Sequence, residues 1–170
     1  MRIPGLTVLL GLPLFAIAAQ APAEDKPVQR NVAEVARAYF ERYAAWDLDG
    51  LRAFYNERSV WSDPTTAEIG PPAGPVTGPK PIVDLLRAST RGIDDLRFEF
   101  QEQFSSGDRA VAIGRLKYTL RGANIAPGAR DVAFDLRVVT VLRIAEGVVL
   151  EHTDFSDFRG WTEQVRAATK

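Results

Sequence analysis

The stretch Leu96-Arg97-Phe98-Glu99-Phe100-Gln101-Glu102-Gln103-Phe104 decides the fold. Leu96, Phe98, Phe100 and Phe104 alternate with Arg97, Glu99, Gln101 and Gln103, the period of two that a half-buried strand requires. Downstream the alternation persists. Ser105-Ser106-Gly107-Asp108 turns the chain into a second strand from Arg109 to about Leu120, Gly122 to Gly128 reads as a loop, and Val132 to Ile144 is a third long strand. Its Phe134, Leu136, Val138, Thr140, Leu142 and Ile144 share one face. Glu146-Gly147 is a tight-turn signal, and Val148 to Ser156 is the last strand.

Upstream the period is helical. Asn31 and Glu34 resemble a capping box ahead of Val32, Val35, Ala36, Tyr39, Phe40, Tyr43 and Trp46, which recur at three- and four-residue steps. A short second helix from Asp49 turns Leu51, Phe54 and Tyr55 inward. Ser59 to Asp63 is extended, because Val60 and Trp61 favour strands and Pro64 disfavours helix at the residue before it. Ile69 to Pro81 is dense in glycine and proline and predicts a long surface loop, after which Ile82, Leu85 and Leu86 mark a third helix ending near Ser89. Helices followed by a meander of strands predict an α+β domain, with the helices on one face of a curved antiparallel sheet.

Composition narrows the chemistry. The 170 residues carry 22 acidic and 21 basic side chains, a formal charge of −1, which leaves no basic footprint for nucleic acid. Cysteine is absent and histidine occurs once, so disulfides, thiol nucleophiles and Cys/His zinc sites are excluded. Carboxylates, phenols and one imidazole remain.

The N-terminus has a secretory layout: Arg2, an apolar run from Leu6 to Ala19, and Ala21-Pro22-Ala23 as the small-x-small cleavage pattern. A signal peptide over residues 1–23 is expected, then a polar lead-in over 24–30, the domain over 31–160 and a tail over 161–170. The protein is thus expected to be secreted or periplasmic, with no membrane partner after cleavage.

The segment AYFERYAAWDLDGLRAFYNERSVWSDP (38–64), the Gly78–Ile82 approach to the third helix, and VVTVLRIAEGVVLEHTDFSDF (138–158) together resemble the nuclear transport factor 2-like superfamily, which includes SnoaL-like polyketide cyclases and ketosteroid isomerases. The resemblance implies a cone-shaped curved sheet wrapped around N-terminal helices, a roll of the cystatin-like kind. It also implies an apolar pocket at one end and a homodimer through the sheet's outer face. Asp63-Pro64 matches the isomerases' general base, and Tyr39 matches their tyrosine oxyanion donor. Thr140 stands where they carry a protonated aspartate; its hydroxyl can donate a hydrogen bond but lacks that acidity.

The residues admit these roles on their own chemistry. Asp63 shares a strand face with Trp61, and in an apolar pocket its pKa would rise toward that of a useful base; it could equally cap a turn beside Pro64. His152 and Asp154 share a face of the last strand, together with Val148 and Leu150, and could relay a proton or satisfy each other; the opposite face is nearly as suitable for the interior. Tyr43, Trp46, Trp61, Phe98, Phe100 and Thr140 are the expected ligand-binding residues, although a helical aromatic stripe also serves as core. The function expected is binding of a small, mostly apolar ligand with a carbonyl or hydroxyl group. Turnover, if present, would be a cofactor-independent, metal-free isomerisation or cyclisation with Asp63, Tyr39, His152 and Asp154 catalytic. The alternative is a binding or homodimeric assembly module without turnover.

Overall fold

The computed structural model describes residues 31–70 and 73–169. The expected signal peptide and lead-in lie outside the described residues. Helices α1 (Val32–Ala44) and α2 (Leu48–Arg52) precede strand β1 (Val60–Asp63); a 3-10 turn over Pro64–Glu68 then leads to β2 (Ala73–Thr77) and α3 (Pro79–Ser89). Strands β3 (Ile93–Ser106), β4 (Arg109–Leu120), β5 (Val132–Ala145) and β6 (Val148–Ser156) follow, and α4 (Phe158–Ala168) is the last element among the described residues.

The strands form one curved, unclosed sheet in the order β2-β1-β6-β5-β4-β3, antiparallel throughout except for the parallel pair β1–β6. Asn31 starts α1 by accepting a hydrogen bond from the Ala33 amide at 3.1 Å. The buried face of α1, carrying Val35, Ala36, Tyr39, Phe40 and Tyr43, packs with α2 and α3 against Val138, Leu142, Ile144 and Val149 on the inner face of the sheet. On β5 the expected alternation holds: Phe134, Leu136, Val138, Thr140, Leu142 and Ile144 are all buried. Glu146 (φ 53°) and Gly147 (φ 77°) form the tight turn into β6.

Four local readings change. The Ile69–Pro81 segment is not one loop: Ala73–Thr77 pairs with β1 as an edge strand, the position where a proline can join a sheet without breaking a ladder on both sides. Phe104 does not share the inner face with Phe98 and Phe100. A register shift between Phe100 and Glu102 inverts the alternation, leaving Phe104 on the outer face at 56% exposure. Opposite this shift, Gly114 admits the β3 backbone, since a Cβ there would stand 2.3 Å from the Glu99 carbonyl oxygen.

A second shift, between Arg143 and Ile144 opposite β6, brings Val149 rather than Val148 and Leu150 onto the face of His152 and Asp154. Finally, the stretch read as a tail is helical. Phe158, Trp161 and Val165 recur at helical steps and pack on Tyr118, Phe134 and Leu136, closing a second apolar cluster at one end of the sheet.

Candidate functional site

A cavity of about 330 Å³ lies between the helices and the inner face of the sheet. β1 contributes Trp61 and Asp63, β6 contributes Asp154 and Ser156, and α1 with its C-terminal turn contributes Tyr43 and Trp46. The far wall is apolar, from Leu96 and Phe98 to Leu116 and Tyr118, and α4 borders it with Phe158 and Trp161. Among the described residues, Arg91 is the single basic residue of the lining.

Of the expected site residues, Asp63, Asp154, Tyr43, Trp46, Trp61 and Phe98 line this cavity. Tyr39, His152, Thr140 and Phe100 do not; they form the layer behind it. Phe100 packs between Phe40, Tyr43 and Phe98, with ring centroids 5.3 to 6.3 Å away, and so belongs to the core.

Asp63 ends β1 and caps the following 3-10 turn. Its Oδ1 accepts the Thr65 amide at 2.9 Å and the Thr65 hydroxyl, and its carbonyl accepts the Thr66 hydroxyl at 2.7 Å. Capping a turn and lining a pocket are therefore compatible. Oδ2 has no hydrogen-bond partner among the described residues. Burial pushes the Asp63 carboxyl above the usual range, and the nearby Asp154 charge adds to the rise against the Thr65 hydrogen bonds.

Asp154 lies in the opposite electrostatic situation. Thr140 donates to its Oδ1 at 2.6 Å, Tyr43 donates to Oδ2 at 2.7 Å, and His152 Nε2 stands 3.0 Å from Oδ2. Burial alone would raise this carboxyl, but the adjacent imidazole and the two hydroxyl donors hold it below the usual range. His152 Nε2 meets this oxygen obliquely, too far off line for a directed hydrogen bond. On the other side of the ring, Nδ1 is hydrogen-bonded to the Tyr39 hydroxyl at 2.6 Å.

Tyr55 completes this layer, sharing a hydrogen bond with the Tyr39 hydroxyl and standing 3.2 Å from Nδ1. Burial pushes the phenols of Tyr39, Tyr43 and Tyr55 well above the ordinary value, so all three remain protonated donors. The result is a buried chain, Tyr55–Tyr39–His152–Asp154–Thr140, with Tyr43 bridging to the cavity. Sequence reasoning did not single out Tyr55 for the site, nor Ser156, Phe158 and Trp161. The last two could have been found from their helical spacing.

A family model described as a SnoaL-like domain matches residues 36–152. No curated protein matches the chain. Among solved structures, the chain is similar to a candidate SnoaL-like polyketide cyclase from Shewanella putrefaciens CN-32, with 24% identity, 80% of this chain and 96% of that one covered, and a TM-score of 0.67. A second such protein, from Shewanella denitrificans OS-217, matches with 21% identity over 84% and 99% of the two chains, at a TM-score of 0.67. A hypothetical protein with a ketosteroid isomerase-like fold from Catenulispora acidiphila, solved in complex with trimethylamine, matches with 14% identity over 78% and 92%, at 0.63. At these identities the likeness is one of fold.

Proposed function

The chain belongs to the SnoaL-like domain family, and from that premise we propose that its cavity binds a small, mostly apolar molecule with a carbonyl or hydroxyl group, on which Asp63 acts as a general base. The observation that carries this reading is a buried carboxylate of raised pKa, with one oxygen unpartnered, in the wall of an otherwise apolar cavity of about 330 Å³.

In the reaction, Asp63 Oδ2 takes a proton from the carbon next to a carbonyl. The C–H electron pair becomes the enolate double bond, and negative charge moves onto the carbonyl oxygen. The protonated Asp63 returns its proton at another carbon in an isomerisation. In a cyclisation the enolate carbon attacks a second carbonyl of the same molecule, and the proton passes to the new alkoxide. No cofactor is needed for either balance. A positioned general base contributes typically 10²- to 10⁴-fold. Asp154, held in place by Thr140 and Tyr43, keeps a negative charge beside Asp63, which favours proton uptake by Asp63.

The decisive experiment follows exchange of α-protons for deuterium in a ketone probe by NMR. Asp63→Asn should abolish protein-dependent exchange and leave probe affinity within about tenfold. Unchanged exchange in that variant would refute the base. Binding without exchange in the native protein favours the second reading, a ligand-binding module, which draws support from the turn-capping role that Asp63 already has.

Two further elements belong to the proposal. The protein is exported, on the strength of Arg2, the Leu6–Ala19 run and Ala21-Pro22-Ala23; a secreted form whose N-terminus precedes Glu24 would count against cleavage there. It pairs as a homodimer through the outer face of the sheet.

A further inference from the structure

The proposed chemistry needs a donor for the carbonyl oxygen, and the hydroxyls expected to supply it are engaged elsewhere. Tyr39 is hydrogen-bonded to His152 and Tyr55, and Thr140 donates to Asp154, all behind the cavity wall. Within the wall, Tyr43 donates to Asp154, Thr66 to the Asp63 carbonyl, and Ser89 to the Leu86 carbonyl. Trp61 is different. Its side chain forms part of the wall and the residue is only 6% exposed, yet Nε1 has no hydrogen-bond partner among the described residues.

Buried N–H groups are nearly always paired, and an indole nitrogen can only donate. Trp61 Nε1 therefore requires an acceptor. His152 Nε2 is the other such atom among the described residues, but His152 is wholly buried behind the wall and that nitrogen faces Asp154. Trp61 and Asp63 lie two residues apart on one face of β1, with Cβ atoms about 7 Å apart. That spacing suits a ligand lying along β1, with its carbonyl oxygen at one residue and its α-carbon at the other.

Resting on the reading of the cavity as a site for a carbonyl-bearing ligand, we propose that the Trp61 indole N–H is the donor that holds the ligand's carbonyl oxygen while Asp63 addresses the adjacent carbon. Because an indole nitrogen only donates, the ligand atom placed there is an acceptor, which selects a ketone or similar carbonyl over an ammonium group. When Asp63 takes the α-proton, charge arrives on the oxygen already held by this N–H. The donor stabilises the enolate without surrendering its own proton.

The test uses two probes of one shape, 2-acetylnaphthalene and 2-isopropenylnaphthalene, which differ in the presence of an acceptor oxygen. The three tryptophans give three indole ¹⁵N–¹H signals, and Trp61→Phe identifies the one from Trp61. The ketone is expected to move that signal downfield while the alkene leaves its proton shift nearly unchanged. In Trp61→Phe, ketone affinity should fall about tenfold more than alkene affinity, since both probes lose the same wall contact. Equal responses to both probes, or equal loss of both affinities, would overturn the role of the N–H while leaving the cavity as a binding site. If neither probe perturbs any cavity residue, the ligand reading fails and this inference falls with it. If Trp61→Phe does not fold, Trp46→Phe and Trp161→Phe assign the remaining signal to Trp61, and its response in the native protein decides the matter.

Discussion

Asp63 and Asp154 stand side by side across the parallel β1–β6 ladder, one step beyond the paired Ser62 and Thr153, and both face the cavity. Neighbouring strands lie about 4.8 Å apart, so the two carboxyls feel each other directly. Their surroundings drive them in opposite directions: Asp63 is raised by burial, whereas Asp154 is held low against burial by His152, Thr140 and Tyr43. Such divergence separates a group that exchanges protons from one that stays charged.

A pH dependence follows. A base works when deprotonated, so exchange should rise with pH through a midpoint above the ordinary aspartate value of about 3.9 and then level off. Asp154→Asn removes the neighbouring charge, and the midpoint should move to lower pH. The pH profile of α-deuterium exchange in the two proteins reads this directly; a midpoint that stays in place would disconnect the two carboxyls.

Removing the base should also stabilise the fold. A carboxyl whose folded pKa lies above its unfolded value favours folding while protonated, below the unfolded pKa, and loses that contribution as pH rises through the folded pKa. At neutral pH, Asp63 therefore costs stability. Asparagine retains an oxygen for the Thr65 amide and carries no charge, so the cap survives. Asp63→Asn should raise Tm at pH 7 by about 2–4 °C, the shift that ~1 kcal/mol produces in a domain of this size, with the gain shrinking toward pH 4. Calorimetry at the two pH values checks it; a lower Tm at pH 7 would mean that the charged cap is itself stabilising.

Tyr39 separates the family analogy from the observed geometry. As an oxyanion donor, its loss would lower kcat by about 10²- to 10³-fold. Here its hydroxyl meets His152 and Tyr55 in a layer closed to the cavity. Tyr39→Phe leaves His152 Nδ1 with only the longer Tyr55 contact and should destabilise the fold by about 1–3 kcal/mol, with exchange falling less than tenfold. Denaturant unfolding and exchange kinetics on one sample give both numbers, and a loss of activity larger than a hundredfold would restore Tyr39 to the chemistry.

What the sequence revealed of this site follows from periodicity. The alternation on β5 fixed its inner face, and the i, i+2 relation placed Trp61 with Asp63 and His152 with Asp154. Strand irregularities were not legible. One extra residue near Gln101 sends Phe104 outward, and another near Leu150 brings in Val149, and neither shift has a composition of its own. The edge strand at Ala73–Thr77 was hidden because its glycine and proline resemble a loop until a pairing partner is known. The Tyr39–His152 bond joins residues 113 positions apart, so no local pattern announces it. The C-terminal helix is another matter, since Phe158, Trp161 and Val165 carried a readable helical period.

The outer face of the sheet carries the last prediction. Phe104 opposes Val111, Val111 opposes Val141, and Ile113, Val139 and Phe155 continue the row across β4, β5 and β6. Phe104 and Phe155 are 56% and 41% exposed, so the patch is apolar and open to solvent in the single chain. Arg109 and Arg143 pair with Glu151, and Arg115 pairs with Asp135, giving the patch a polar rim of both signs. A patch of this kind is self-complementary under a two-fold axis, in which each apolar row meets its copy. The protein should therefore sediment as a dimer at micromolar concentration. Phe155→Glu places a charge at the β6 end of the row and should yield a monomer with the cavity residues unchanged, because Phe155 points away from Asp154 on the same strand. A native protein that sediments as a monomer would refute the interface, and a Phe155→Glu variant that remains dimeric would move it to another face.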